Sequence, residues 1–278
     1  MSSIVMTRAE LERQREARRR LLSGRKIVTD AEAAQYVDER GLVLLCPLPG
    51  LPLPSITEAD SRQPWAGFDI TDGAWRWKET LPAAKHCAYQ KFVRDRGTFI
   101  SWRLYPSFYV LYGPEAPYED EYRAGRLERL AYIVLQTLEN EGMLSSRELW
   151  HKVRFHFGGN RPRFESVLTM LQRNFCLTVA GGSLEGWSLH YWNLTERQVP
   201  HGLLDHLPSI SAARETLILQ AIDNLVLATV GELRAIFRWP AAEVQACLQQ
   251  LAETGSLVRA QMEDERTLCW ALAGASLA

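Results

Sequence analysis

Three groups of side chains in this 278-residue chain have types and spacings suited to chemistry or binding. The first is a row of cations, Arg161, Arg163 and Arg173, with Lys152, Arg154 and His156 just upstream and Glu165 as the opposing carboxylate. Ser166, Thr169 and Met170 share that row's face of a predicted helix, opposite the apolar positions. A surface of this kind is what a duplex backbone would meet, because phosphate contacts come chiefly from Arg, Lys and helix N-termini. The second group is the carboxylates Asp69, Asp72 and Glu79, of which Asp72 and Glu79 are the candidates for general acid–base work. An isolated carboxylate is more commonly a surface residue or a helix cap, so that reading stands beside the catalytic one. The third is the run of fourteen rings from Trp65 to Tyr122, which either builds a base-stacking pocket or fills an irregular core.

Other chemistry has no residues to carry it. There is no Gly-rich phosphate loop ending in Lys-Ser/Thr, no G-x-S-x-G and no His-Glu-x-x-His. The five cysteines (Cys46, Cys87, Cys176, Cys247 and Cys269) are odd in number and dispersed, and read as reduced core thiols of a cytosolic protein. His151 and His156, five apart, fall on different faces of a helix, so no structural zinc is expected, and no other cofactor. No signal-peptide core occurs, nor any apolar run near the roughly 20 residues that span a bilayer, so a cytoplasmic location without membrane partners is expected. Net charge is −1, but residues 1–26 carry eight cations against three carboxylates. That stretch, with Thr7 and Glu10 placed for a capping box, reads either as a solvated helix or as a basic arm for phosphate.

The elements that must position these groups form a repeat. Phe164, Val167, Leu168, Leu171 and Phe175 follow helical spacing, as do Val244, Cys247, Leu248 and Leu251, and a shift of 80 residues superimposes the first four of one set on the other. Each set follows two predicted helices and precedes a two-stranded ribbon, whose turn in the first copy is assigned to Gly181 and Gly182. This pattern is a winged helix, a helix-turn-helix variant, which points to nucleic acid. In the first copy the helices carry Leu127 to Leu138, Ser146 (as N-cap) to Val153, and Arg161 to Asn174, with strands Leu177 to Ala180 and Trp187 to Leu194. The second copy offers Glu243, Gln245, Gln249, Gln250 and Glu253 on its third helix and Glu263, Asp264 and Glu265 at its wing, which phosphate would repel. It reads as structural or protein-binding. Upstream, Asp30 to Arg40 is a helix closed by Gly41, Leu42 to Cys46 a short buried strand, and the prolines from Pro47 to Pro54 a loop.

The fold class is therefore mainly α, of the α+β kind, with tandem winged-helix domains. The divisions are a basic N-terminal helix or arm (1–26), an aromatic-rich domain that is either a divergent third winged helix or a unit of another kind (27–122), a winged helix (123–195), a linker (196–211) and a winged helix (212–278).

The segments RGLVLLCPLPGLPLPS (Arg40 to Ser55) and WRWKETLP (Trp75 to Pro82), followed by two winged modules, resemble the AlkZ-related, YcaQ-like bacterial winged-helix proteins. That group includes DNA glycosylases acting on bulky alkylated bases and interstrand crosslinks. The resemblance implies double-stranded or damaged DNA as partner and adds Trp75, Arg76, Trp77 and Lys78 to the DNA-binding candidates. It also implies a Gln-x-Gln or Gln-x-Asp motif that positions the attacking water on the strand after the first helix pair. The residues at those two positions are Leu44 and Cys46, and neither orients water as Gln or Asp does. The expectation is a DNA-binding protein without base-excision activity. The alternatives are an active glycosylase using Glu79 or Asp72, and a protein-interaction scaffold with a partner on the C-terminal winged helix.

Overall fold

The computed structural model describes residues 4–62, 73–183, 189–263 and 267–274. The first third of the chain runs β1 (Ile4–Met6), α1 (Arg8–Arg18), α2 (Asp30–Arg40), β2 (Leu42–Leu44), α3 (Ile56–Ala59), α4 (Ala74–Ala83), β3 (Cys87–Lys91), β4 (Gly97–Ser101), α5 (Tyr105–Tyr112) and α6 (Tyr118–Arg123). The middle holds α7 (Arg129–Glu141), β5 (Leu144–Ser145), α8 (Ser146–Val153), α9 (Arg161–Arg173), β6 (Leu177–Ser183) and β7 (Leu189–Leu194). The last part holds α10 (Thr195–Gln198), α11 (Ile210–Leu225), α12 (Val230–Phe237), α13 (Ala241–Glu253), β8 (Leu257–Met262) and β9 (Leu268–Leu272). The class is α+β.

Helix starts follow local chemistry. Thr7 with Glu10, Thr29 with Glu32, Ser145 with Glu148 and Thr229 with Glu232 each close a capping box. A side-chain oxygen thereby satisfies an orphan N–H of the first turn, and the Glu reaches back to the cap. The cap of α8 is Ser145 rather than Ser146. The Ser146 hydroxyl instead donates to the His190 carbonyl and accepts from Trp192 Nε1, tying the helix to the ribbon.

The sheets share one layout. Two have the order first strand, third, second: β2-β4-β3 and β5-β7-β6. The last is β1-β8-β9, and an antiparallel bridge from Ala228 to Trp270 sets the chain before α12 on β9 as β5 sits on β7 before α8. In all three parts, helices and a first strand precede a two-stranded antiparallel ribbon.

The central sheet separates two cores. Val43, Cys87, Tyr89 and Phe99 face one core, built with α2, α4, α7, α8 and α9. Leu42, Leu44, Ala88 and Ile100 face the other, built with α5, α11, α12 and α13. Alternate residues of a strand point to opposite faces, so β2, covered on both sides, is an unbroken run of apolar residues with none above 2% exposure.

Several expectations change. Strand β1 was not foreseen and pairs in parallel with β8, Ile4 opposite Ala260. The basic N-terminal stretch is a docked helix rather than a free arm. Arg18 pairs with Asp223 at 2.9 Å, Arg15 donates to the Leu225 carbonyl, and Arg19 pairs with Glu58. Phe175 lies beyond the end of α9 at φ 52° and packs with Phe92, Tyr105 and Phe108 in the second core. Gly181 and Gly182 belong to strand β6 rather than to a turn. Trp65, Phe68, Asp69, Asp72, Trp187, Asp264 and Glu265 lie outside the described residues. Of the described rings in the aromatic stretch, Trp77, Tyr89, Phe92, Phe99, Tyr105 and Phe108 are core.

Candidate nucleic-acid interface

The cation-bearing helix α9 is only partly open to solvent. Residues four apart share a helix face, so Arg161, Glu165, Thr169 and Arg173 form one row. This row runs along the hairpin of β3 and β4: Lys91 Nζ lies 3.4 Å from Thr169 Oγ1, and Arg173 pairs with Asp95 at 3.3 Å. Between helix and hairpin is a cavity of about 200 Å³ whose lining includes Tyr89, Lys91, Arg161, Thr169, His190 and Trp192. A second cavity of about 390 Å³, bordered by Cys46, Trp75, Lys91, Arg96 and Gly97, shares Lys91 and Gly97 with the first. The two continue each other along the hairpin.

The hairpin tip is held from both sides. Arg94 and Asp95 adopt positive φ of 46° and 58°. Asp95 receives Arg173 from the end of α9 and Arg238, at 3.8 Å, from the end of α12. Burial lowers the Arg238 pKa, and its guanidinium lies 4.9 Å from the Phe92 ring centroid. Lys91, Arg94 and Arg96 are all exposed. These three cations were missed from sequence, although their density in the KFVRDRG segment between two strands was a usable signal.

The nominated DNA-binding residues separate into two groups. Arg154 and Arg163 are exposed and make no ion pair among the described residues. Lys152 pairs with Glu141 at 2.7 Å, and Arg161 pairs with Glu165 at 2.9 Å while lying over the Trp150 and Phe164 rings. Exposed pairs of this kind contribute little and exchange readily for phosphate. The WRWK run behaves differently. Trp77 is 1% exposed and donates its indole N–H to Asp30 at 3.0 Å, so it is core and offers no DNA surface. Lys78 is buried too, because its ammonium sits against Glu79 and over the Trp75 ring. Arg76 is half-exposed and pairs with Asp30, and Trp75 borders the second cavity.

Glu79 is the most enclosed carboxylate near the cleft, 1% exposed. Its Oε1 lies 3.5 Å from Lys78 Nζ and its Oε2 lies 3.1 Å from His190 Nδ1. An ionised Glu79 carboxylate can only accept, in which case His190 donates through Nδ1 and its Nε2 lies at the other side of the ring. Glycine makes the arrangement possible. A Cβ on Gly182 would collide with the Glu79 carboxylate, and one on Gly181 would press on Ala83, so α4 can lie directly on β6. His190 lines the first cavity. Nothing local in sequence marks it, since its partner is 111 positions away.

The two positions at which the resemblance placed water-orienting side chains are also resolved. Leu44 is fully buried and faces the second core. Cys46 borders the second cavity, with its thiol pKa raised by burial. Such a thiol is held neutral and is a weak acceptor.

Comparison with known proteins places this geometry. A family model described as AlkZ related matches residues 27–238. A comparison with curated proteins gave no match. Among solved structures, the DNA glycosylase AlkZ of Streptomyces sahachiroi aligns over 97% of this chain and 70% of its own, with a TM-score of 0.65 and 14% sequence identity. At that identity the likeness is one of fold.

Proposed function

Because the chain belongs to the AlkZ-related family, whose model spans residues 27–238, we propose that it is a tandem winged-helix protein that binds DNA and does not excise bases. In this reading the segments 27–122, 123–195 and 212–278 are three copies of one module, and α9 is the DNA-facing helix of the middle copy. The supporting observation is the concentration of exposed cations around one cleft. Arg161 of α9 lines that cleft, Lys91 and Arg96 stand on the facing hairpin with Arg94 at its tip, and Arg154, which caps the end of α8, and Arg163, in the first turn of α9, are exposed close by along the chain. Local basic surface, not net charge, sets counterion release, so a net charge of −1 is compatible with binding. The structural relative is named as a DNA glycosylase, which supports DNA as the partner.

The absence of excision rests on Leu44 and Cys46. Hydrolysing an N-glycosidic bond needs a polar group that holds water beneath the sugar while positive charge develops there. Losing such a group costs on the order of 10² to 10⁴ in rate. A Leu packed in a core and a neutral thiol do not replace it. The test is duplex binding across a salt series beside a base-release assay on alkylated duplex. Arg161→Ala with Arg163→Ala should flatten the slope of log K against log salt by roughly one unit per lost phosphate contact, equally for unrelated sequences. Gln245→Ala with Gln249→Ala should leave it unchanged. A larger effect from the second pair would move the DNA face to the last module.

One observation favours the second reading, an active glycosylase. The Glu79–His190 pair reaches the first cavity through the imidazole, with the geometry of a carboxylate that orients a general base. Glu79 is enclosed, so His190 would be the group meeting water. Base release abolished by His190→Ala and by Glu79→Gln, but not by Cys46→Ala, would establish that reading.

A further inference from the structure

The turn between α8 and α9 carries a side chain that folding does not use. Phe155 is 82% exposed, the highest among the described large apolar residues, while its neighbours Val153 and Phe157 are 1% and 4% exposed. The equivalent connection in the last module, Arg238 to Pro240, is shorter, and its aromatic is buried: Trp239 is 7% exposed and stacks on Phe237 with centroids 4.6 Å apart. The Phe155 ring is not on a loose loop. The Phe157 N–H donates to the Arg154 carbonyl, Gly158 N–H to the Phe155 carbonyl and Gly159 N–H to the Arg154 carbonyl, all within 3.2 Å. Both glycines have positive φ, which closes the turn.

The surroundings are basic. His151, Lys152, Arg154, His156 and Arg163 are exposed within eight positions of Phe155 along the chain, Lys152 in a pair with Glu141. The Arg154 guanidinium lies 5.2 Å from the ring centroid, a cation–π contact that leaves the rest of the ring free for another partner. A rigid exposed ring among cations is the arrangement by which proteins hold unpaired nucleotides, with charge taking the backbone and the aromatic taking the base. In an intact duplex every base face is already stacked, and a ring at the groove edge meets little beyond a thymine methyl. We infer that the α8–α9 turn is a stacking platform for an unpaired base, with Phe155 as its surface, so that the protein prefers DNA carrying an unstacked nucleotide over fully paired DNA.

This inference rests on the DNA-binding reading of the same face. It is tested by fluorescence anisotropy of the full chain with two labelled duplexes of one sequence, one fully paired and one with a single bulged adenine. The wild type should bind the bulged duplex roughly tenfold more tightly, the scale of one base–aromatic stack. Phe155→Ala should remove that preference and leave affinity for the paired duplex within about twofold, while Phe155→Trp should keep the preference. With 2-aminopurine at the bulge, wild type and Phe155→Trp should change its emission and Phe155→Ala should not. The inference is overturned if the wild type shows no preference, if Phe155→Ala retains it, or if that variant weakens both duplexes equally. Binding to neither duplex would overturn the DNA reading together with the inference, whereas paired-duplex binding with an unaltered preference in Phe155→Ala would overturn the inference alone.

Discussion

Helices α9 and α13 lie 80 residues apart and carry the same buried apolar stripe, and under the repeat proposed above a position-by-position comparison separates what the shared stripe needs from what each helix does. Phe164, Val167, Leu168 and Leu171 in one correspond to Val244, Cys247, Leu248 and Leu251 in the other, and all eight are buried. The outward positions share little. Arg161, Arg163, Thr169 and Arg173 face Ala241, Glu243, Gln249 and Glu253. The acidic side of α13 is occupied by α11: Glu243 pairs with Arg214, and Gln250 donates to Glu215. Packing constrains the apolar stripe, and only the solvent face is left to differ. Shared fold therefore carries no implication of shared ligand.

The strongest way to break this comparison is at the buried stripe. Leu168→Ala and Leu248→Ala each remove a side chain no more than 5% exposed from a packed core. Each should destabilise the protein by about 2–5 kcal/mol in chemical denaturation, through lost transfer energy and the cavity left behind. A loss below about 1 kcal/mol at either site would mean that the two helices are not packed alike.

The ribbons give a smaller and more specific contrast. Met262 in β8 corresponds to Gly182 in β6 under the same shift, and the neighbours explain the difference. Met262 is buried in a small core with Met6 of β1, opposite which it pairs, whereas Gly182 lies under the Glu79 carboxylate of α4. Gly182→Ala should therefore cost about 1–3 kcal/mol by overpacking. Combined with Glu79→Ala it should cost less than the sum of the two single changes, because one of the two colliding groups is gone while the Leu189 carbonyl, 2.7 Å from the added Cβ, remains. Additive costs in a double-mutant cycle would show that the Glu79 carboxylate is not what excludes a side chain at Gly182.

Much of the helical skeleton was legible in the sequence because its determinants are local. Thr7 with Glu10 marks the start of α1, Gly41 the end of α2, and the i, i+3, i+4, i+7 stripes mark α9 and α13. What was not legible depends on partners far along the chain. Strand β1 is three residues whose pairing lies more than 250 positions away. Gly181 and Gly182 have the composition of a turn, and only the presence of α4 above them shows that they are strand. Within WRWKET, two cations and a carboxylate suggest surface, yet Lys78 and Glu79 are enclosed because each neutralises the other and His190 completes the cluster. The paired cleft walls were invisible for the same reason, since Lys91 meets α9 only through the tertiary fold.

The mildest perturbation is the start of the second helix in each copy, where the comparison predicts likeness. Ser145 with Glu148 and Thr229 with Glu232 form the same capping box, so Ser145→Ala and Thr229→Ala should each cost about 1 kcal/mol. Ser145 also gives the start of α8 a pH signature. Its hydroxyl, and then its backbone N–H, bond the Glu148 carboxylate and hold that group's pKa below the ordinary value of 4.5. A carboxylate whose pKa is lower in the folded state than in the unfolded one stabilises the fold above its unfolded value, and this contribution disappears as pH falls through the lowered value. Wild-type stability measured from neutral pH into the acid range should therefore fall more steeply than that of Ser145→Ala, because the variant has lost the bond to its side chain. Parallel curves would show that the Glu148 interaction with the cap does not survive in solution, and that the two copies begin their second helices by different means.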